Sequence, residues 1–413
     1  MTLNRRNLLA AAAATPLAAG LPMSGARAQA QNTIRIGVLN DQSGLYRDLS
    51  GPGSTQAVRL AIQDSGITQR GINVEVVQAD HQNRPDVGST VARQWIDRDG
   101  VDVIVDVPTS SVALAVNTVV RERNKVFLNS GAATSDLTGA QCSPNTIHWT
   151  YDTWMLARGT GGAMVRAGGD TWFFLTADYA FGHALERDTA EFVRAAGGRV
   201  LGQVRTPFPG TTDFSSYLVQ AQASRAKVIG LANAGGDTIN SIKQAAEFGL
   251  TRRGVKLAGL LVFVTDVHSL GLQTAQGLVL TETFYWDLND RTRALTQRLG
   301  NMPGGLRPTM VQAGCYSAVL HYLKAVADMG VQQAKASGAE AVNRMKAMPT
   351  DDDAFGQGSI RPDGRKIHPA YLFEVKTPQE SRGAWDYYKL LSTVPADEAF
   401  RPVGQGGCSL VRG

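Results

Sequence analysis

The stretch VDVIVDVPTSSVALAVNTVVRERNKVFLNSGAATSD, residues 101–136, decides the fold. It runs apolar and β-branched to Val107, then turns at Pro108-Thr109-Ser110-Ser111. It continues as an apolar segment of helical length and repeats the same apolar-to-small-polar change at KVFLNSGAAT. Short apolar runs rich in Val, Ile and Phe are buried strands, and the segment between them is a helix. A strand–helix–strand unit with both strands almost wholly apolar is the building block of a parallel sheet covered on both faces.

The same alternation extends in both directions. Upstream, IRIGVLN (34–40) and VEVVQAD (74–80) read as strands. The helices after them place Ala57, Val58, Ala61 and Ile62 on one face, with Gly66 to end the first and Pro85 suited to the opening turn of the second. Downstream, TWFFLTADY (171–179), RVLGQVRT (199–206), KVIGLANAG (227–235), LAGLLVFV (257–264) and GLVLTETFYW (277–286) read as strands, with helices between the first four. A long helical stretch from Pro308 follows, and AYLFEVKT and WDYYKLLSTV close the chain as strands. A chain of 413 residues exceeds one core. The expected fold is α/β, with two doubly wound parallel-sheet lobes.

Composition narrows the function classes. Hydrophobic residues make up 43% and charged residues 19%, as in ordinary folded proteins. The net charge of +5 owes much to residues 1–30, which open with Arg5-Arg6 ahead of an Ala/Leu-rich run and end in A-x-A forms at Ala26–Ala28 and Ala28–Ala30. This segment reads as a cleaved export signal of twin-arginine type. Its removal takes away Arg5, Arg6 and Arg27 and leaves +2, so nothing draws the chain to nucleic acid. Of the three cysteines, Cys142 and Cys408 are expected to pair, clamping a Gly-rich tail (GQGGC), while Cys315 stays a buried thiol on a helix face.

In open parallel sheets, ligands bind beyond the carboxyl ends of the strands. Thr109 and Ser110 lie at one such end and SGAATSD (130–136) at the next. The residues alone allow plain helix capping or a carboxylate cradle of hydroxyls and free amides. The loop NDQSGLYRDLSGPGS after the first strand holds its glycines too far from Asn40 for a dinucleotide fingerprint. The six histidines have no ligand spacing, Asp351-Asp352-Asp353 lacks the pattern of a calcium loop, and no G-x-S-x-G elbow occurs. No metal or cofactor is expected, and an enzyme built on the doubly wound sheet is disfavoured.

Taken in order, IRIGVLNDQSGLYRDLSGPGSTQAVRLAIQD, VPTSSVALAV, FLNSGAATSDLT, WFFLTADYAFGHALERD and TDFSSYLVQAQASRAKVIGLANAGGDTINSIKQAAEFG resemble the periplasmic substrate-binding proteins of branched-chain amino acid ABC importers. The resemblance covers nearly the whole chain after the signal. It implies a type I periplasmic-binding fold, a monomer whose two lobes, joined by three crossovers, close over a small carboxylate ligand and deliver it to a membrane permease. A sensor of the same fold, acting through a separate signalling protein, is the alternative.

On this reading lobe one is 31–149 plus 284–356 and lobe two is 150–283 plus 357–413. Hinges are expected near 148–152, 281–287 and 354–360. The family's ligand contacts fall on Tyr46, Thr109, Ser110, Ala132, Ala133 and Thr134 in lobe one. In lobe two they fall on Phe181 with its neighbour Tyr179, and on Asn233 and Ala234. Tyr285 and Trp286, near a crossover, are further candidates for an apolar wall. Where amino-acid binders carry a Glu for the ligand ammonium, this chain has Leu261 or Val262. Asp266 and Asp178 are the acids nearest to replacing it. The expected ligand is therefore an organic acid with an apolar or aromatic body, ahead of a branched-chain amino acid.

Overall fold

The structure, a computed structural model, describes residues 32–411. The export signal expected at 1–30 lies outside the described residues.

The first sheet is built from β1 (Thr33–Asn40), α1 (Gly51–Ser65), β2 (Asn73–Asp80), α2 (Pro85–Asp97), β3 (Val103–Asp106), α3 (Ser110–Glu122), β4 (Val126–Asn129) and β5 (Thr146–His148). Its strand order is β2-β1-β3-β4-β5, and every pair is parallel. All four residues of β3 and of β4 are buried, which explains their unbroken apolar runs. The edge strand β2, by contrast, is only half-buried.

The chain enters lobe two through the interrupted helix α4 (153–166), which contains a wide turn at Ala157–Gly161. There follow β6 (Thr171–Ala177), α5 (Ala180–Ala195), β7 (Arg199–Thr206), α6 (Ser215–Ala223), β8 (Val228–Ala232), α7 (Gly236–Glu247) and β9 (Lys256–Gly259). Their sheet is again all parallel, in the order β7-β6-β8-β9. In both sheets the strand order reverses around the first strand in sequence. Each lobe therefore has a topological switch point where loops from adjacent strands diverge and leave a crevice.

Two expected strands are shorter than their apolar runs. LAGLLVFV pairs only as far as Gly259, and α8 (Val264–Leu270) begins where the run ends. GLVLTETFYW pairs only over β10 (Val279–Glu282). Buried apolar residues need no strand, and a run alone does not say where pairing stops.

After β10, α9 (Asp290–Leu299) and the 20-residue α10 (Met310–Met329) return to pack on α1, and α11 (Val331–Ala336) and α12 (Gly338–Lys346) follow. Cys315 is buried in α10. The antiparallel strands β11 (Thr350–Asp352), β12 (Gly356–Ile360) and β13 (Lys366–Ile367) stay with lobe one, because Arg365 bridges His148 at the end of β5. Arg365 is itself fully buried, with its guanidinium 3.4 Å from the Asp152 carboxylate and over the Phe400 ring. Only then do β14 (Ala370–Val375) and β15 (Tyr388–Val394) join β10 in a separate antiparallel sheet.

The expected assignment of all of 357–413 to lobe two is thus corrected. Residues 356–367 attach to lobe one, and the passage between lobes falls at His368-Pro369 rather than at 354–360. The tail beyond β15 also comes back: Phe400 packs on His368, and Cys408 is bonded to Cys142 with their Cα atoms 5.5 Å apart.

Candidate ligand-binding site

A small cavity lies between the two switch points. Its wall is made wholly of residues that follow strand carboxyl ends. Lobe one supplies Tyr46 and Leu49 after β1, Pro108 after β3, and Gly131 and Ala133 after β4. Tyr151 comes from the crossover after β5. Lobe two supplies Tyr179 and Phe181 after β6, Ala234 after β8, and Leu261 and Phe263 after β9.

The lobe-one side is held by hydrogen bonds. The Asp41 carboxylate accepts from the amides of Ser43, Gly44 and Tyr46 at 3.2, 2.6 and 2.8 Å, which fixes the loop that carries Tyr46. It also accepts from Asn83 Nδ2 at 2.6 Å, and Asn83 Oδ1 in turn accepts from the Thr109 hydroxyl. The Thr109 hydroxyl therefore ties the β3 loop to the β1 loop. Between them, Asp106 and Val107 both have positive φ, +83° and +55°. Such angles cost non-glycine residues about 1–3 kcal/mol each and persist where neighbours over-determine them. Here Asn40 Nδ2 and the Ser50 hydroxyl donate to the Asp106 carboxylate at 2.9 and 2.7 Å.

The lobe-two side is held by ring packing. Tyr179 stacks on Phe208 with centroids 3.9 Å apart and planes 12° apart, and Phe181 lies 5.8 Å from Tyr179. Phe208 also stacks across the lobes on Tyr46 at 5.6 Å. Tyr151 and Phe263 meet edge to face at 6.0 Å.

The two sides touch, so the lobes are closed. The hydroxyls of Tyr46 and Tyr179 are hydrogen-bonded, and the Gly236 amide donates to the Leu45 carbonyl at 3.3 Å. Gly235 (φ +56°) permits this approach, since a Cβ there would sit 2.6 Å from the Leu45 oxygen. A second clasp lies outside the cavity. The Ser135 and Thr153 hydroxyls donate to Asp188 on α5 at 2.8 and 2.6 Å, and Arg187 pairs with Asp136 at 3.2 Å.

Burial, and next the mutual contact, pushes the Tyr46 phenol well above its ordinary range; burial does the same for Tyr151. Burial alone raises Asp237, in the first turn of α7, to about 7. Asp266 is also raised to about 7 by burial, against the opposing effect of a hydrogen bond from the Phe263 amide at 3.0 Å.

Of the residues expected from sequence, Tyr46, Ala133, Ala234, Tyr179 and Phe181 meet in the cavity wall, and Leu261 occupies it too. The others stand behind it or apart from it. The Ser110 hydroxyl accepts from the Thr134 amide at 3.2 Å, the Ala132 amide donates to Asn129 at 3.1 Å, and Thr134 Oγ1 caps the turn at Asp136. Asn233 is engaged with Thr238 and Ser241. Asp266 caps the start of α8, and Asp178 forms an exposed pair with His183 at 2.7 Å. Tyr285 and Trp286 both donate to the Trp385 carbonyl in the second core of lobe two. The lining residues not foreseen are Leu49, Pro108, Gly131, Tyr151 and Phe263, as is Phe208, which stacks on Tyr179. Tyr151 lies in the expected hinge segment HWTYD, but Trp149 in the same segment donates to Ser317 away from the cavity, so the sequence does not single Tyr151 out. Among the described residues, no group of three or more His, Cys, Asp or Glu could hold a metal, and no helix is long and apolar enough to cross a membrane.

The arrangement of two parallel-sheet lobes, closed over a cavity at their switch points, is that of a hinged solute receptor. The family model described as periplasmic binding protein matches residues 33–383. A periplasmic binding protein from Burkholderia mallei is 48% identical, covering 92% of this chain and 100% of that one, with a TM-score of 0.88. A branched chain amino acid ABC transporter periplasmic ligand-binding protein from Burkholderia xenovorans LB400 is 39% identical over 91% of this chain and 99% of that one, with a TM-score of 0.78. An R. palustris ABC transporter solute binding protein, in complex with benzoate, shares the fold at 22% identity and a TM-score of 0.78, over 91% and 99% of the two chains. No curated protein matches. The chain belongs to the periplasmic binding protein family. Members of that family are receptors that bind solutes.

Proposed function

We propose that the protein is the solute receptor of an ABC importer, that it works as a monomer, and that it takes a small carboxylic acid with an apolar or aromatic body. The observation that carries this reading is the cavity wall. Tyr46, Tyr151, Tyr179, Phe181 and Phe263 present rings, and Leu261, one of the two positions (with Val262) at which the resemblance would place an acid, is apolar. Such a wall rewards a flat apolar body through burial and ring contact. The carboxylate end is met at lobe one. There the first turn of α3, beside Pro108, has no side-chain cap, because the Thr109 hydroxyl is engaged with Asn83. Helix amides left uncapped in this way hold an anion by hydrogen bonds and by the helix dipole. Delivery to a membrane permease follows from the same role.

Calorimetry on the protein lacking residues 1–30 tests the reading. Benzoate or 4-methyl-2-oxopentanoate is expected to bind more tightly than leucine or valine, with a smaller radius of gyration on saturation. Tighter binding of leucine, or no binding of any of the four, would overturn the preferred ligand class. The 39%-identical relative named for branched chain amino acids makes leucine the second reading.

A further inference from the structure

In the closed arrangement one acid is buried with neither carboxyl oxygen hydrogen-bonded. Asp237 is 1% exposed, and both of its carboxyl oxygens lack a hydrogen-bond partner. It stands three residues beyond Ala234, a residue of the cavity wall, and directly after Gly235-Gly236, the pair that lies against Leu45 and Tyr46 in the closed form. The side chains on which its charge acts are Tyr46 and Tyr179, the two hydroxyls joined across the cavity. Its neighbours on α7 are engaged elsewhere: Thr238 donates to Asn233, and the Ser241 hydroxyl donates to the Asp237 backbone carbonyl, not to its carboxyl.

A buried carboxyl without a donor is costly, whether it stays charged or takes a proton. The other buried acids of this region each have at least one donor, although Asp106 Oδ1 and Glu282 Oε2 have none. Asp41 accepts from three amides and Asn83, Asp188 from two hydroxyls, and Glu282 from Tyr388.

We propose that Asp237 is the specificity-determining acceptor of the site, selecting carboxylic acids that carry an O–H or N–H donor away from the carboxylate. This rests on the carboxylate-receptor reading above. Two sources present that chemistry: a ring hydroxyl on an aromatic acid, and the ammonium of an amino acid. With either bound, closure pairs Asp237; with a ligand lacking the donor, closure leaves it unpartnered.

The test compares two ligand pairs that differ in the donor alone. These are 4-hydroxybenzoate against benzoate, and leucine against 4-methylpentanoate, titrated into the wild type, Asp237→Leu and Asp237→Asn. In one pair the donor-bearing acid should bind about tenfold or more tightly to the wild type. That margin should vanish in Asp237→Leu, while affinity for the donor-free acid holds or rises. For the hydroxyl pair, Asp237→Asn should keep part of the margin, because its amide oxygen still accepts; a purely structural role would move both members of a pair together. Donor-free acids that bind Asp237→Leu as they bind wild type also show that the variant is folded. A margin that survives in Asp237→Leu, or binding with no margin in either pair, overturns the proposal alone. Failure of all four acids to bind the wild type overturns it together with the carboxylate reading.

Discussion

The two walls of the cavity are built by different physics. On the lobe-one side, Asp41, Asn83, Thr109, Asn40, Ser50 and Asp106 form linked hydrogen bonds that set the course of the backbone behind Tyr46 and Pro108. On the lobe-two side, Tyr179, Phe181 and Phe208 are placed by ring faces, and one buried acid, Asp237, is unpartnered. Directional bonds fix a geometry, whereas stacked rings slide at small cost. On the proposed carboxylate-receptor reading, lobe one is the template that receives the common part of the ligand, and lobe two is the surface that adapts to the variable part.

The sharpest way to break this contrast is Asp41→Ala. Three backbone amides and the Asn83 amide would lose their acceptor, so a stability loss of about 3 kcal/mol is expected in urea unfolding. Binding should fall with it. A variant that unfolds like the wild type would mean that the lobe-one loop is held by packing after all.

Phe208→Ala tests the other wall. Phe208 is only partly buried, so its truncation should cost little stability. It removes the face against which Tyr179 stacks, and an affinity loss of about 1.5 kcal/mol, near tenfold, is expected by calorimetry. A loss of global stability with unchanged affinity would reverse the assignment of roles.

The smallest effect is in pH. Burial raises the Asp237 carboxyl from 3.8 to about 7, so an opening that exposes it to solvent would release a proton that the closed form binds. Closure is then most favourable below about pH 4 and weakens as pH rises towards 7. Scattering should show the ligand-free protein slightly more compact at pH 5 than at pH 8, with the difference absent in Asp237→Leu. Equal compactness of the wild type at both pH values would mean that Asp237 does not feel closure.

The contrast between the walls also separates what the sequence made legible from what it did not. The strands of both parallel sheets were readable because burial on two faces writes itself as unbroken Val, Ile, Leu and Phe. The hydroxyls of 109–111 stood out for the same reason, set between two apolar runs. Their partners did not: Thr109 reaches Asn83, 26 residues away, and only the fold brings β2 and β3 to either side of β1. Phe263 was hidden inside an apolar run that reads as one strand, although pairing stops at Gly259. Phe208 lies in a turn beyond an edge strand, where nothing local reveals that it crosses to Tyr46. Tyr285 and Trp286 were misjudged because aromatic residues near a crossover serve a core as readily as a cavity. Asp237 follows a glycine pair that reads as an ordinary helix start, and nothing local reveals that its carboxyl is buried without a partner.

The Cys142–Cys408 bond gives the molecule a particular wiring. β1, where the described chain begins its first sheet, and Cys408, near its other end, both belong to lobe one. The segments of lobe two are therefore internal to lobe one, and their movement drags neither β1 nor Cys408. A fluorophore on α6 would ride with lobe two, while a surface tether or fused reporter at either end would stay with the stationary half. The protein is thereby suited to conversion into an optical sensor whose attachment leaves the closing motion free.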